Sequence, residues 1–415
     1  MHQIKLSICI PTYNRAPFLE KALGYFVDLY KFPFSYEIVV SDNASTDDTC
    51  EVVKRFLGKG LPIRYFRQVE NFGAEANSLG SYRHALGEYV IYLADDDLLI
   101  NEGIIEAIRY LDLNIDVGAC YAPWYTHDEV DGRDNPPFYS VAKNTKFKKQ
   151  AFESCFDFLI DGHVFPEIAI FRSSALRSAL VQRHFAYWAF SHLAHFLDQG
   201  AVAFLKNPFY RQVIRSKITR DRPQAGHAEV LTAWDRYRGG LEYFLYMGAK
   251  RGAVDMNADK RRTRDAQVLD FTMVRMTVAL RMWFQKRDYV RAYELYTRLM
   301  MGGFASHPEV AEARNVLPLM VAVQTLAQQA NTAPEVEKLL LHGVDNHDSL
   351  ADLLREVGLR SEIEIVAPAT ELTETEVGRT AVFVTEVRDR EHYVRKGHPP
   401  NLVLSESDLL SHVLM

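Results

Sequence analysis

Along the first hundred residues, short apolar runs rich in β-branched residues alternate with stretches whose apolar positions recur every three or four. "IKLSICIP" (4–11) predicts a strand that stops at Pro11. Phe18, Leu19, Leu23, Phe26 and Leu29 give 16–30 a helical stripe. "YEIVVSD" (36–42) predicts a second strand and 45–60 a second helix, opened by Ser45 and Thr46 as caps with Asp47 and Asp48 at the positive helix end. A strand over 63–68, a helix over 75–87 closed by Gly87 and a strand over 89–94 follow. Strands separated by helices imply βαβ units and a parallel sheet buried on both faces.

Beyond residue 100 the pattern mixes: a helix at 101–112, a strand at 116–123, a polar loop at 126–145, then further helix and strand. From about 228 to 357 everything reads helical, with a helical pair in 261–301 broken near Lys286–Asp288 and no fixed repeat. "EIEIVA", "TAVFVTEV" and "NLVLSESDLLSHVL" return to strand-like runs. The expected organisation is an α/β domain over 1–225, a helical domain over 226–358 for acceptor binding or oligomerisation, and a small α/β tail over 359–415.

Composition narrows the field. With 48% hydrophobic and 25% charged residues the chain reads as globular. A net charge of −6 leaves no global basic field for nucleic acid, so an acidic partner must meet a local patch or a metal. Cys9, Cys50, Cys120 and Cys155 are scattered, with no C-x-x-C, and read as reduced thiols of a cytoplasmic protein. The first residues lack a signal architecture, and no run reaches the roughly 18 apolar residues of a membrane span. The expectation is a soluble protein or one peripheral at the inner face of the membrane. Trp283, Phe284, Tyr289, Tyr293 and Tyr296 among basic residues suit packed helices first and a lipid surface second.

The chemistry collects where strands end. "YVIYLADDDLLI" (89–100) runs from a good strand into three adjacent carboxylates that repel one another. Thr12-Tyr13-Asn14-Arg15 follow the first strand and Asp42-Asn43 the second. In open sheets of this kind ligands sit outside the carboxyl ends of the strands, so three segments converge on one edge. A carboxylate cluster there suits Mg²⁺ or Mn²⁺, hard cations held by one or two carboxylates with phosphates and water completing the shell.

"SICIPTYNR", "EIVVSDNASTDDT" and "ENFGAEANSLGSYRHALGEYVIYLADDD" resemble, in order and spacing, the motifs of family-2-type glycosyltransferases with the GT-A fold, closely over 4–125 and loosely over 126–225. The resemblance implies a mostly parallel, Rossmann-like nucleotide-sugar-binding domain before the helical region. It implies that Pro11, Thr12, Tyr13 and Arg15 cradle the nucleotide with Tyr13 near the base, that Asp42 reads the base, and that Asn71 and Gly73 border the nucleotide. Asp95 and Asp97 would be the ends of the D-x-D motif, Asp97 on the metal and Asp95 nearer the ribose or a metal-bound water, with Asp96 also on the nucleotide-sugar side. The implied activity is metal-dependent, inverting transfer from a nucleoside-diphosphate sugar to an acceptor hydroxyl, in surface-polysaccharide or glycoconjugate synthesis. The donor expected first is a UDP-sugar, then a GDP- or dTDP-sugar; the acceptor is a glycan, a lipid-linked glycan or a protein. Taken singly, the residues have blander readings: Tyr13 covering the sheet edge, Asp42 capping the next helix, Gly73 permitting a turn.

Two features depart from the family pattern. Its general base is usually an Asp, often after Glu, on a helix that corresponds to 186–200 here, where no such pair stands. His192 is the first choice, with an unperturbed pKa of about 6.5 that suits base catalysis, and Glu167 the second; Asp161 and His163 follow. At 210–222, where relatives often carry a His, this chain has Arg215, Lys217 and Arg220, which suit a diphosphate clamp or an exposed basic turn. A nucleotidyltransferase is disfavoured because "CIPTYNRAP" has no glycine, and a dehalogenase-type phosphatase because its D-x-D follows the first strand. The alternative kept is a non-catalytic nucleotide-sugar-binding scaffold acting through its helical region.

Overall fold

The computed structural model describes residues 4–178, 187–219 and 230–415. It divides into two compact units, one of residues 1–228 with 233–272 and one of 229–232 with 273–415.

The strands of the first unit are β1 (Leu6–Thr12), β2 (Tyr36–Asp42), β3 (Ile63–Arg67), β4 (Tyr89–Tyr92), β5 (Leu98–Leu99), β6 (Val117–Tyr121), β7 (Tyr125–Asp128), β8 (Arg133–Pro137), β9 (Thr145–Phe147), β10 (Ala169–Arg172), β11 (Ala201–Phe204) and β12 (Tyr210–Arg215). Eight make one sheet in the order β3-β2-β1-β4-β10-β6-β11-β9. β1 lies parallel to both β2 and β4, so the strand order reverses beside β1, the switch point at which such sheets bind ligands. β10 runs antiparallel between β4 and β6. Leu6, Ile8, Val39, Val40, Ile91 and Val117 are fully buried, which explains their near-continuous apolar runs. Helices α1 (Ala16–Asp28), α2 (Thr49–Gly58) and α3 (Ala74–Arg83) are the connections expected between the first four strands. At Gly87 a Cβ would stand 2.6 Å from the Ser7 backbone nitrogen, so only glycine lets the chain enter β4 this close to β1.

A second sheet, β5-β12-β7-β8, starts directly after the aspartate triplet. Its β7–β8 hairpin and the short strand β9 occupy 126–145 and its border, where the sequence reads as polar loop. β8 is "RDNPP", an edge strand, where proline costs no ladder bond and apolar alternation is not required.

Helix Trp234–Lys250 and the first half of helix Ala258–Gln285 pack Leu241, Phe244, Val268 and Phe271 into the first unit's core. The boundary expected at 225 therefore gives way to one near 272. A helix covering a sheet and a helix in a separate bundle share one apolar period, and only contacts distinguish them.

The second unit holds helices Tyr289–Met301 and Pro308–Thr332. The break between 285 and 289 stands as expected, with Arg287 at φ 57° and Asp288 accepting from the Arg291 N–H. It also holds β13 (Lys338–His342), β14 (Glu364–Val366), β15 (Thr380–Val384) and β16 (Val403–Ser405), an all-parallel sheet ordered β14-β13-β15-β16. β13 and helix His347–Glu356 belong to this α/β layer, so it begins about twenty residues before the expected 359. "KLLLH" is too short for periodicity to separate strand from helix. No helix among the described residues is long and apolar enough to cross a membrane.

Candidate nucleotide-sugar site

β1 and β4 deliver Thr12, Arg15 and the aspartates to one place. Thr12 Oγ1 donates to Asp95 Oδ2 at 2.7 Å and Arg15 Nε to Asp95 Oδ1 at 2.8 Å, while a terminal Arg15 nitrogen pairs with Asp96. The Asp97 N–H donates to the Ala94 carbonyl at 3.1 Å, closing a tight turn with Asp95 and Asp96 at its centre. The guanidinium is thus part of what makes adjacent carboxylates tolerable.

Asp97 is 8% exposed and is held from the other side, accepting from the Tyr210 hydroxyl and the Val213 N–H, both at 2.8 Å. Burial pushes its carboxyl up to about 7; the Val213 and Tyr210 bonds and Arg15 oppose that rise, and Asp95 adds to it. These residues fit a divalent cation by donor chemistry. They are hard carboxylate oxygens with lone pairs to spare beyond the bonds named, and a bound cation would relieve the cost of charging Asp97. Among the described residues no three metal-ligating side chains form a ready cage, so most of the shell would have to come from ligand and water.

β2 supplies the second wall. Asp42 has no exposed surface: Oδ1 accepts from the Ser45 N–H at 2.8 Å, and Oδ2 from the Tyr65 hydroxyl, with Arg67 Nε 3.7 Å away. It closes the turn into α2, and it reaches a base only by exchanging one of these partners. Asn43 accepts from the Phe72 N–H at 3.0 Å and donates to Asn71 at 2.7 Å, and Asn71 accepts from the Gly73 N–H at 2.8 Å. Gly73 starts α3 at φ 88°, a left-handed conformation that glycine takes without strain. This ties the loop bearing Asn71 and Gly73 to the end of β2. Tyr13, 40% exposed, and Phe72, 52% exposed, stand out from the two loops. Pro11 sits within β1 opposite Ser41.

Three contributors carry no strong sequence signal. Asn77, 2% exposed, donates to the carbonyls of Thr12 and Ser41 and accepts from Ser41 Oγ and Gln68, pinning the ends of β1 and β2 together. Asn14, at φ 51°, bridges to Ser45 and Thr46. Tyr210 reads from sequence as one more apolar strand residue. Asn14 stands in the polar stretch after the first strand, but only the long-range pairing identifies Asn77 and Tyr210.

The proposed bases and basic residues fall differently. His192 is 2% exposed on helix Trp188–Gln199, edge-on to Trp188 and Phe196, in the surroundings of a core histidine. Asp198 at the end of that helix is bound by Arg251 through two 2.6 Å bonds, and Arg251 holds its carboxyl below the usual range. Glu167 lies two residues before β10. The antiparallel register, Ile170 opposite Ile91, carries that end of β10 to the edge where β4 ends and the triplet begins. Arg215 pairs with Asp128 at 2.7 Å and Asp131 at 3.1 Å, and the Lys217 backbone N–H donates to Glu129. Arg220 lies outside the described residues.

Residues 7–178 match the family described as Glycosyl transferase family 2. Abequosyltransferase RfbV of Salmonella typhimurium is 38% identical over 116 residues, 28% of this chain and 35% of that protein. The GalNAc(5)-diNAcBac-PP-undecaprenol beta-1,3-glucosyltransferase of Campylobacter jejuni is 39% identical over 103 residues, 23% of this chain and 31% of that protein. The chain thus spans about a third of the length of these curated relatives. Among solved structures, S. aureus TarS 1-349 in complex with UDP-GlcNAc covers 76% of this chain and 90% of its own, with a TM-score of 0.47 at 15% identity. Residues 7–178, which supply most strands of the mostly parallel sheet, are thus similar to glycosyl transferase family 2.

Proposed function

We propose that the edge formed by β1, β2 and β4 binds a nucleoside-diphosphate sugar and transfers its sugar to an acceptor hydroxyl. The convergence of Thr12 and Arg15 on Asp95 at the switch point is the observation that carries this reading. The base lies between the loops of Tyr13 and of Asn71–Gly73, with Asp42 beneath it; the diphosphate lies over Arg15 and the 94–97 turn. Asp97 and Asp95 would hold Mn²⁺ or Mg²⁺, which would supply charge stabilisation to the departing diphosphate. UDP-sugars are the first donors to test and GDP- and dTDP-sugars the next. The name of the Campylobacter jejuni relative favours a lipid-linked glycan acceptor, in polysaccharide or glycoconjugate synthesis.

Glu167 takes precedence over His192 as general base because its strand runs to the triplet's edge while His192 is enclosed by aromatic rings. In a single displacement the acceptor oxygen bonds to the anomeric carbon as the carbon–oxygen bond to the diphosphate breaks; Glu167 receives the acceptor proton and the product is inverted. Arg215 and Lys217 border the site through β12 and the segment after it, and Arg215 can clamp a diphosphate only by leaving Asp128.

A thermal-shift screen of UDP-, GDP-, dTDP- and CMP-sugars with and without Mn²⁺ tests the reading, since a true donor stabilises the folded state. A metal-dependent shift with one nucleotide class, followed by donor hydrolysis or transfer, is expected; no shift with any donor sinks it. A non-catalytic scaffold draws support from the sequence of helix Trp188–Gln199, which has no Glu-Asp pair, and it would show the shift without hydrolysis.

A further inference from the structure

The acidic turn has a fastening that the proposed chemistry does not itself require. Tyr210 stands 1% exposed in β12, and its hydroxyl is placed to do two things at once. It accepts from the Ala94 N–H at 3.1 Å and donates to Asp97 Oδ2 at 2.8 Å. Ala94 and Asp97 are the two ends of the turn whose centre is Asp95 and Asp96. The hydroxyl is held in register from the backbone as well: Tyr210 lies opposite Leu99 in the β12–β5 pairing, the Ile100 N–H donates to the Phe209 carbonyl at 3.0 Å, and the Val213 N–H takes the second Asp97 oxygen. Burial and the neighbouring carboxylate keep the phenol protonated, well above its ordinary range.

We propose that Tyr210 is a positioning residue for the donor site: one buried hydroxyl staples both ends of the 94–97 turn and so fixes the directions in which Asp95, Asp96 and Asp97 present their oxygens. Without it, the part-buried Ala94 N–H loses its acceptor and Asp97 keeps a bond to Val213 alone of the two, free to rotate about that contact. Mutual repulsion then spreads the three carboxylates, which the intact turn holds together against Arg15. A metal that takes few protein ligands depends more than others on how those few are aimed.

The inference rests on the turn being the place where a divalent cation and a diphosphate bind, and the test separates the two ideas. Free Mn²⁺ is followed by electron paramagnetic resonance while the full chain is titrated with Mn²⁺ at saturating UDP. Tyr210→Phe keeps the buried ring and removes only the oxygen; its Mn²⁺ affinity with UDP is expected to fall about tenfold or more. Tyr121→Phe, equally buried and without a bond to the turn, should leave it unchanged. A Tyr210→Phe protein that binds Mn²⁺ within twofold of wild type overturns the proposal alone. A wild type that holds no Mn²⁺ with UDP overturns the site reading and this one with it. Should Tyr210→Phe not fold, 3-fluorotyrosine at position 210 reports the hydroxyl in the folded protein: its ¹⁹F resonance should move on adding Mg²⁺ with UDP, and an unmoved resonance counts against the staple.

Discussion

Each unit of this chain contains parallel strands that end on one edge, yet the edges are wired differently. In the second unit the polar residues there mostly serve their own strand-to-helix junctions. Asn346 caps helix His347–Glu356 through Ser349, three residues on, and Ser405 forms a capping box with Asp408, again three residues on. Longer links occur too: His342 bonds to the Tyr393 hydroxyl fifty-one residues away, and Arg390 to Asp408 eighteen away. In the first unit the edge side chains reach across the sheet. Thr12 and Asp95 are 83 residues apart, Arg15 and Asp95 80, Asn77 and Thr12 65. Capping stabilises an element wherever it stands, whereas bonds between distant loops gather unlike groups around one volume. Parallel topology supplies an edge; the long-range polar wiring is what makes a site of it.

The largest test of that contrast is Arg15→Ala. It removes the partner that Asp95, 5% exposed, and Asp96 share, and donor turnover should fall about a thousandfold. Asp97→Ala should in addition abolish the Mn²⁺-dependent thermal shift. If Arg15→Ala turned over donor at the wild-type rate, the wiring of the first edge would be structural only, and the contrast would vanish.

Next in size is Asp42→Ala, which strands the Ser45 N–H and the Tyr65 hydroxyl. A loss of about 3 kcal/mol in urea unfolding is expected, together with weaker discrimination between UDP and GDP in the thermal-shift screen. Full stability with altered base preference would make Asp42 a reader of the base more than a brace. At the other edge His342→Ala should leave donor turnover untouched and lower stability by about 1 kcal/mol; a matching loss of turnover would show that the second edge also takes part.

The legible and illegible parts divide along the same line as local and long-range bonding. The strands and helices of 4–94 could be read because period, caps and burial agree residue by residue, and the strand ends named the loops carrying Thr12, Asp42 and Asp95. Hydrophobic period says nothing about a hairpin such as β7–β8, exposed at its edge and interrupted by Pro136 and Pro137, nor about "KLLLH", five residues at the centre of a parallel sheet. Tyr210 and Asn77 were invisible for a related reason. Tyr210 acts through its hydroxyl and Asn77 through its side-chain amide on residues at least 36 positions away, apart from the nearer Asn77 bond to Gln68, and nothing in the neighbouring sequence marks that. His192 shows the converse: a catalytic residue type with suitable spacing, buried by its helix against Trp188 and Phe196.

The smallest effect comes from pH and addresses whether the two units keep separate stabilities. Each contains a histidine whose pKa is held below the usual 6.5. His195 in the first is lowered by burial, with Asp198 opposing and Tyr243 bonded at 2.8 Å. His398 in the second is lowered by burial and by Lys396, with the Thr380 carbonyl opposing. Above 6.5 both are neutral whether folded or unfolded, and they contribute no slope. As pH falls below 6.5 the unfolded chain takes up protons that the folded chain refuses, so stability declines until each folded pKa is passed. Each unit of depression is worth about 1.4 kcal/mol at most. Calorimetry at pH 7.5 and 5.5 should show a lower melting temperature at acid pH for the transition of the second unit, whereas in the first the raised pKa of Asp97 acts in the opposite direction and offsets the loss from His195. His398→Gln should flatten the dependence of the second transition, and His195→Gln should remove the histidine's loss from the first. An equal change in the whole profile by either substitution would mean that the units unfold as one, and that the two edges, however differently wired, share a single stability.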